Sequence, residues 1–168
     1  MARRRLVLVF AATVILAAAV VAVVLWSGRG DPAGPCAAAV RDPLDPGSLQ
    51  HALPGSPPPS YATEPPTSGP HQAGRHPGGV VHGPLPRPVQ VGALEAGQVL
   101  LQHRDLPPDA LRRLEALGGP QVVVAPNPAL PAPVVASAWR RRQECQAVDV
   151  EVLDRFVREH AGGGPAHG

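Results

Sequence analysis

Gln98-Val99-Leu100-Leu101-Gln102-His103 opens a run of alternating elements that continues through Pro107–Leu117, Gln121-Val122-Val123-Val124-Ala125 and Pro133–Trp139. Val99, Leu100 and Leu101 cluster in the first segment, which reads as a strand. Pro107 and Pro108 suit the first turn of a helix, where a missing N–H costs nothing. Leu111, Leu114 and Leu117 share one face of that helix, and Gly118-Gly119 stops it. Gln121 to Ala125 is a β-branched run bounded by prolines, the pattern of a buried strand. Pro133 to Trp139 repeats it.

Downstream, Asp149 can cap a helix that runs to His160. Val152, Leu153, Phe156 and Val157 form its buried stripe, and Gly162-Gly163-Gly164 ends it. Upstream, Pro88 to Val91 predicts a short strand. The order strand, helix, strand, strand, helix predicts a small α+β domain with one sheet and two covering helices. Its expected bounds are 61–165, the usual size of one small domain, with 166–168 as a tail. The aromatics in this span are Tyr61, Trp139 and Phe156, so the core must rest on Val, Leu and Ala. A core that thin gains much from a covalent staple.

Further toward the N-terminus the composition changes. Residues 27–60 are rich in Pro, Gly, Asp and Ala, with turn-forming steps such as Asp42-Pro43-Leu44-Asp45-Pro46-Gly47. They predict a semi-extended stalk, with Ser48 to Leu53 as a short helical turn and Ser56-Pro57-Pro58-Pro59-Ser60 as a stiff polyproline step. Before the stalk, Leu6 to Trp26 is apolar throughout except for Thr13. At about 1.5 Å of rise per residue this run spans roughly 30 Å, the thickness of a bilayer core. Arg3, Arg4 and Arg5 precede it, so the positive-inside rule places residues 1–5 in the cytoplasm and the rest outside. A cleaved signal peptide is the rival, but the small residues Ala17, Ala18 and Ala19 lie inside the run while Leu25 and Trp26 end it. The expectation is a single-pass signal anchor at 6–26, with Trp26 at the outer interface.

The anchor changes the charge balance. The whole chain is +2, yet Arg3, Arg4, Arg5 and Arg29 flank the anchor. Removing them from the 15 basic residues leaves 11 Arg against 13 Asp and Glu, a net −2. That is no electrostatic footprint for nucleic acid. The two cysteines, Cys36 and Cys145, then lie in a disulfide-permissive compartment and predict one bridge, with lipidation of Cys36 as a lesser option.

Within the domain, Tyr61-Ala62-Thr63-Glu64-Pro65-Pro66-Thr67-Ser68-Gly69-Pro70-His71 is a rigid loop. Its prolines fix φ and Gly69-Pro70 forces a turn. Such a loop could present Thr67, Ser68 and His71 to a partner; the bland reading is a structural turn whose hydroxyls satisfy local backbone. The motif resembles the signature of a family of membrane-anchored bacterial proteins, the domain of unknown function 3105. Val91-Gly92-Ala93-Leu94-Glu95-Ala96-Gly97 is similar to that family's His-x-Leu-Glu-His-Gly segment in its Leu, Glu and Gly. Val122-Val123-Val124-Ala125-Pro126, Val134-Val135-Ala136-Ser137-Ala138-Trp139, Phe156 and Gly164-Pro165 resemble its later stretches. The family pattern implies two imidazoles and a carboxylate close together, a donor set suited to zinc or copper. Here Gly92 and Ala96 stand at the two histidine places, so that form of the site is lost and only Glu95 remains.

Other histidines could replace it. His71, His76, His82 and His103 lie in the domain, and His71, Glu95 and His103 are the candidate metal ligands, although no pair has a tight ligand spacing. A serine hydrolase would need Ser68 or Ser137, and neither sits in a G-x-S-x-G turn. Arg140-Arg141-Arg142 reads as a solvated turn, with an anionic partner as the rival. The expected function is non-enzymatic binding of an envelope protein or wall component, from a domain tethered to the bilayer. The alternative is a metal-binding or metal-dependent protein.

Overall fold

The computed structural model of the chain describes residues 34–53 and 55–165. The expected anchor at 6–26 lies outside them. Among the described residues no helix is long and apolar enough to cross a membrane.

Two short strands, β1 (Val40–Arg41) and β2 (Gly79–Val80), precede helix α1 (Arg87–Glu95). Strand β3 (Val99–His103), helix α2 (Pro108–Glu115), strands β4 (Val122–Pro126), β5 (Val134–Ala138) and β6 (Arg141–Cys145), and helix α3 (Val150–His160) follow. The strands form one mixed sheet in the order β1-β6-β5-β3-β4-β2. β2, β4 and β3 run parallel, while β3–β5, β5–β6 and β6–β1 are antiparallel. Among the described residues the fold is α+β with three helices rather than two.

Side chains alternate across a strand, so each strand of this sheet feeds two faces. Val99, Leu101, Val122, Val124, Val134, Ala136 and Ala138 point to one face and pack with Leu114 of α2 and Leu153 and Phe156 of α3. Asp149 caps α3 by accepting from Val152 N at 3.1 Å. Leu100 and Val123 point to the other face and pack under Ala93 and Leu94 of α1. Phe156 is the aromatic of the buried core, which otherwise rests on Val, Leu and Ala.

Two expectations are corrected. Pro88–Val91 is not a strand; it lies inside α1. Pro86 stands at the N-cap with φ −55°, and Pro88 falls in the first turn, where a helix has no use for the N–H that proline lacks. Gln90, Val91, Ala93 and Leu94 then turn one face inward. Nor do residues 27–60 act as a stalk along their described length. The compact unit begins at Pro35. The Cys36–Cys145 disulfide is formed, β1 pairs Val40 with Arg142 and Arg41 with Arg141, and Asp42 is buried. Residues 36–52 are thus a strap laid on the domain.

Candidate functional site

The strap is fastened to the Pro65–His71 loop by side chains and backbone together. Thr67 Oγ1 donates to Asp42 Oδ2 at 3.0 Å, and Asp45 N donates to Ser68 Oγ at 3.0 Å. His71 N donates to Gln50 O at 3.0 Å, and Ala52 N donates to His71 O at 2.7 Å. Tyr61 OH closes the loop by donating to Pro70 O at 2.6 Å. Burial pushes that phenol up to about 12; Asp45 adds to the shift and Arg87 opposes it. Gly69 has φ +127° and lies against the Tyr61 ring, a conformation that L side chains rarely adopt.

The loop is therefore not a presenting surface. Thr67, Ser68 and His71 are 1 %, 5 % and 1 % exposed. Their polar groups are used internally, because a buried donor or acceptor left unpaired costs about 1–3 kcal/mol.

His71 connects this loop to Glu95, the last residue of α1. Nδ1 lies 3.2 Å from Gly69 O, and Nε2 lies 2.6 Å from Glu95 Oε2. The Nε2 contact is close, but its angles do not meet hydrogen-bond geometry. Gly97, with φ +84°, turns the chain from α1 into β3, and its carbonyl accepts from Gly162 N at 2.7 Å. Gly164 rests on the Glu95 carbonyl so closely that a Cβ there would collide with it. The C-terminal glycines thus clamp the α1–β3 corner.

His103 does not join His71 and Glu95. It shares the β3 face of Val99 and Leu101, against α2 and α3, whereas Glu95 ends the helix on the opposite face. Burial lowers the pKa of His103, and Glu115 works against that shift. Among the described residues no three His, Cys, Asp or Glu side chains converge as a metal-ligand set. The expected His71, Glu95, His103 centre is corrected on that geometry.

Gly92 leaves no void. A Cβ there would collide with the Gln72 carbonyl and would lie 2.6 Å from His76 Nε2. The His76 ring fills the space beside α1, and burial first, then the nearby His71, hold its pKa below the ordinary range while Glu95 opposes them. Ser137 is wholly buried, and Ser68 is engaged by Asp45. Neither serine is placed as a nucleophile.

What opens beside Glu95 is a cleft of about 560 Å³. Arg41, Leu44, Asp45 and Leu49 line it from the strap, Trp139, Arg140 and Arg141 from the β5–β6 turn, and Gly164 from the C-terminal segment. Trp139 is half-buried, with its inner part against the Leu94–Leu100 cluster. Arg140 is held at φ +58°; its N donates to Thr67 O at 3.0 Å and its Nε to Asp42 O at 3.3 Å. Of the three consecutive arginines, Arg142 is structural, paired with Asp42 and Glu144. The expectation of a solvated turn missed Arg140 and Arg141, and nothing in the sequence joined them to Arg41. The signal for Arg141 and Arg41 lies only in the β1–β6 pairing, which is non-local.

The fold and this corner define a small α+β module with a cleft that combines apolar walls with arginines, and among its described residues no metal-ligand set converges. The family model described as protein of unknown function (DUF3105) matches residues 56–168, two thirds of the chain, and the chain belongs to that family. No curated protein and no solved structure matches the chain. The family-like stretches 65–71, 94–97, 134–139 and 164–165 all reach the corner around Glu95.

Proposed function

We propose that this chain is a single-pass membrane protein whose domain lies outside the cytoplasm and binds an anionic component of the cell envelope in the cleft beside Glu95. The observation that carries the binding role is the cleft lining: Arg41, Arg140 and Arg141 meet there, and none has a carboxylate partner among the described residues. Asp45 and Glu95 also line it, so three arginines stand against two carboxylates, a formal net of +1. The disulfide supports an oxidising compartment, and the apolar run 6–26 behind three arginines supports the anchor. Binding rather than catalysis is supported by the burial of Ser68, Ser137 and His71.

Site-specific photo-crosslinking in intact cells tests this reading. A crosslinker at Leu49, on the cleft rim, should capture an envelope component. One at Asp109, exposed on α2 across the sheet, should not. Equal yields at the two positions, or none at Leu49, would contradict it. Retention of the chain in membranes through an alkaline wash, with the domain cleaved by external protease, is the expected result for the anchor.

A further inference from the structure

We infer that the cleft seats the phosphate of an anionic phospholipid in the membrane to which the chain is tethered, an inference that rests on the anchored reading above. Arg41 and Arg141 are direct cross-strand partners on β1 and β6. Like charges in that position repel, and an anion between them converts the repulsion into two attractions. Arg140 follows in the β5–β6 turn, and its Nε donates to Asp42 O at 3.3 Å, which restrains the side chain before any ligand arrives. Guanidinium groups bind phosphate oxygens through paired N–H donors.

The rim distinguishes a lipid from a soluble phosphate. Leu49 is 96 % exposed and Leu44 51 % exposed, and both border the same cleft as the three arginines. A single exposed leucine carries little meaning. Two beside a cluster of unpaired arginines have the chemistry of a surface that sinks apolar groups into the headgroup boundary while its cations hold phosphate. Glu95 also lines the cleft, and Trp139 supplies an aromatic wall.

The chain between the proposed anchor and the domain is short. Cys36 is pinned to β6 by the disulfide, and only ten residue steps separate it from Trp26. Fully extended, ten residues span at most about 33–36 Å. The attachment point at Cys36 can thus lie no farther than that from the end of the apolar run.

The full chain carrying Trp26→Phe has Trp139 as its sole tryptophan. It can be incorporated into nanodiscs of phosphatidylcholine alone or with phosphatidylglycerol brominated on its acyl chains. Brominated phosphatidylglycerol should quench Trp139 more than brominated phosphatidylcholine does. Raised salt should weaken that difference. Arg41→Gln with Arg140→Gln and Arg141→Gln should abolish it, and Leu44→Ser with Leu49→Ser should reduce it. A chain that travels with both kinds of disc but shows equal quenching overturns the lipid seat and leaves the anchor intact. A chain that travels with neither contradicts the anchor and this inference together. Inorganic phosphate that erases the quenching difference at the concentration of the lipid phosphate would overturn the inference in favour of a soluble phosphate ligand.

Discussion

The two faces of the sheet are made of different material. Toward α2 and α3, Val99, Leu101, Val124, Val134 and Ala136 meet Leu114, Leu153 and Phe156 in a continuous apolar layer. Toward α1 and the strap, the apolar residues fall into two small clusters. Buried polar side chains fill in between them: Asp42, Thr67 and Ser68 are bonded across the seam between strap and loop, while the Gln102 amide and the Ser137 hydroxyl have no hydrogen-bond partner among the described residues. An apolar layer gives stability without direction, whereas buried polar groups must be matched one by one and so fix positions. The first face holds the fold together. The second aims Glu95, Trp139 and the arginines at one cleft.

The comparison can be broken most forcefully at the disulfide, which ties the strap to the sheet. Cys36→Ser with Cys145→Ser opens a loop of 109 residues, and on the chain-entropy model the loss is about 4–5 kcal/mol. Chemical denaturation of the oxidised chain and of the variant should differ by that amount. Phe156→Ala on the apolar face should cost about 3–5 kcal/mol and leave crosslinking from position 49 unchanged at temperatures where the variant is folded.

Gly92→Ala is an overpacking test on the polar side. Its Cβ has backbone against it at Gln72 O and a ring at His76, so a loss of about 1–3 kcal/mol is expected. Thr67→Val should cost about 1–3 kcal/mol by leaving the buried Asp42 carboxylate short of a donor. It should also loosen the strap, seen as faster amide exchange at residues 42–52.

The smallest effects are those of pH. His76, His103 and His160 all have lowered pKa values, with burial as the main cause. The unfolded chain then binds more protons than the folded one below about pH 6.5, so stability should fall as pH drops through that value. Tyr61 acts at the other end. Its pKa is raised from 10.0 to about 12, so its contribution is intact below pH 10 and is lost as pH rises toward 12. Tyr61→Phe should remove that alkaline component.

Much of the apolar face is legible in the sequence. Strands 98–103, 121–125 and 133–139 are β-branched or leucine-rich runs bounded by Pro and Gly, and each contains the observed strand within a residue or two. The helices ending near Leu117 and His160 announce themselves through leucine spacing and the Asp149 cap. α1 does not, because Pro86 and Pro88 resemble breakers until they are placed in a first turn. β6 is Arg141-Arg142-Gln143-Glu144-Cys145, a strand whose charges suit its place next to the sheet edge. The strap reads as a stalk because these side-chain bonds go to residues 23 to 100 positions away. The site is the least legible part. His71 and Glu95 stand out in the sequence and do meet, while His103 is sent to the other face by strand alternation. The cleft arginines come from two segments about 100 residues apart, joined only by β1–β6 pairing.

The central claim is that one face stabilises and the other binds. Its most direct test is the photo-crosslinking yield from position 49 in the chain carrying Arg41→Gln, Arg140→Gln and Arg141→Gln, measured beside its thermal unfolding. The account predicts that the adduct disappears while the melting temperature stays within a few degrees of the parent, since none of the three arginines has a carboxylate partner to lose. An undiminished adduct, or loss of the adduct only through unfolding of the domain, would contradict it.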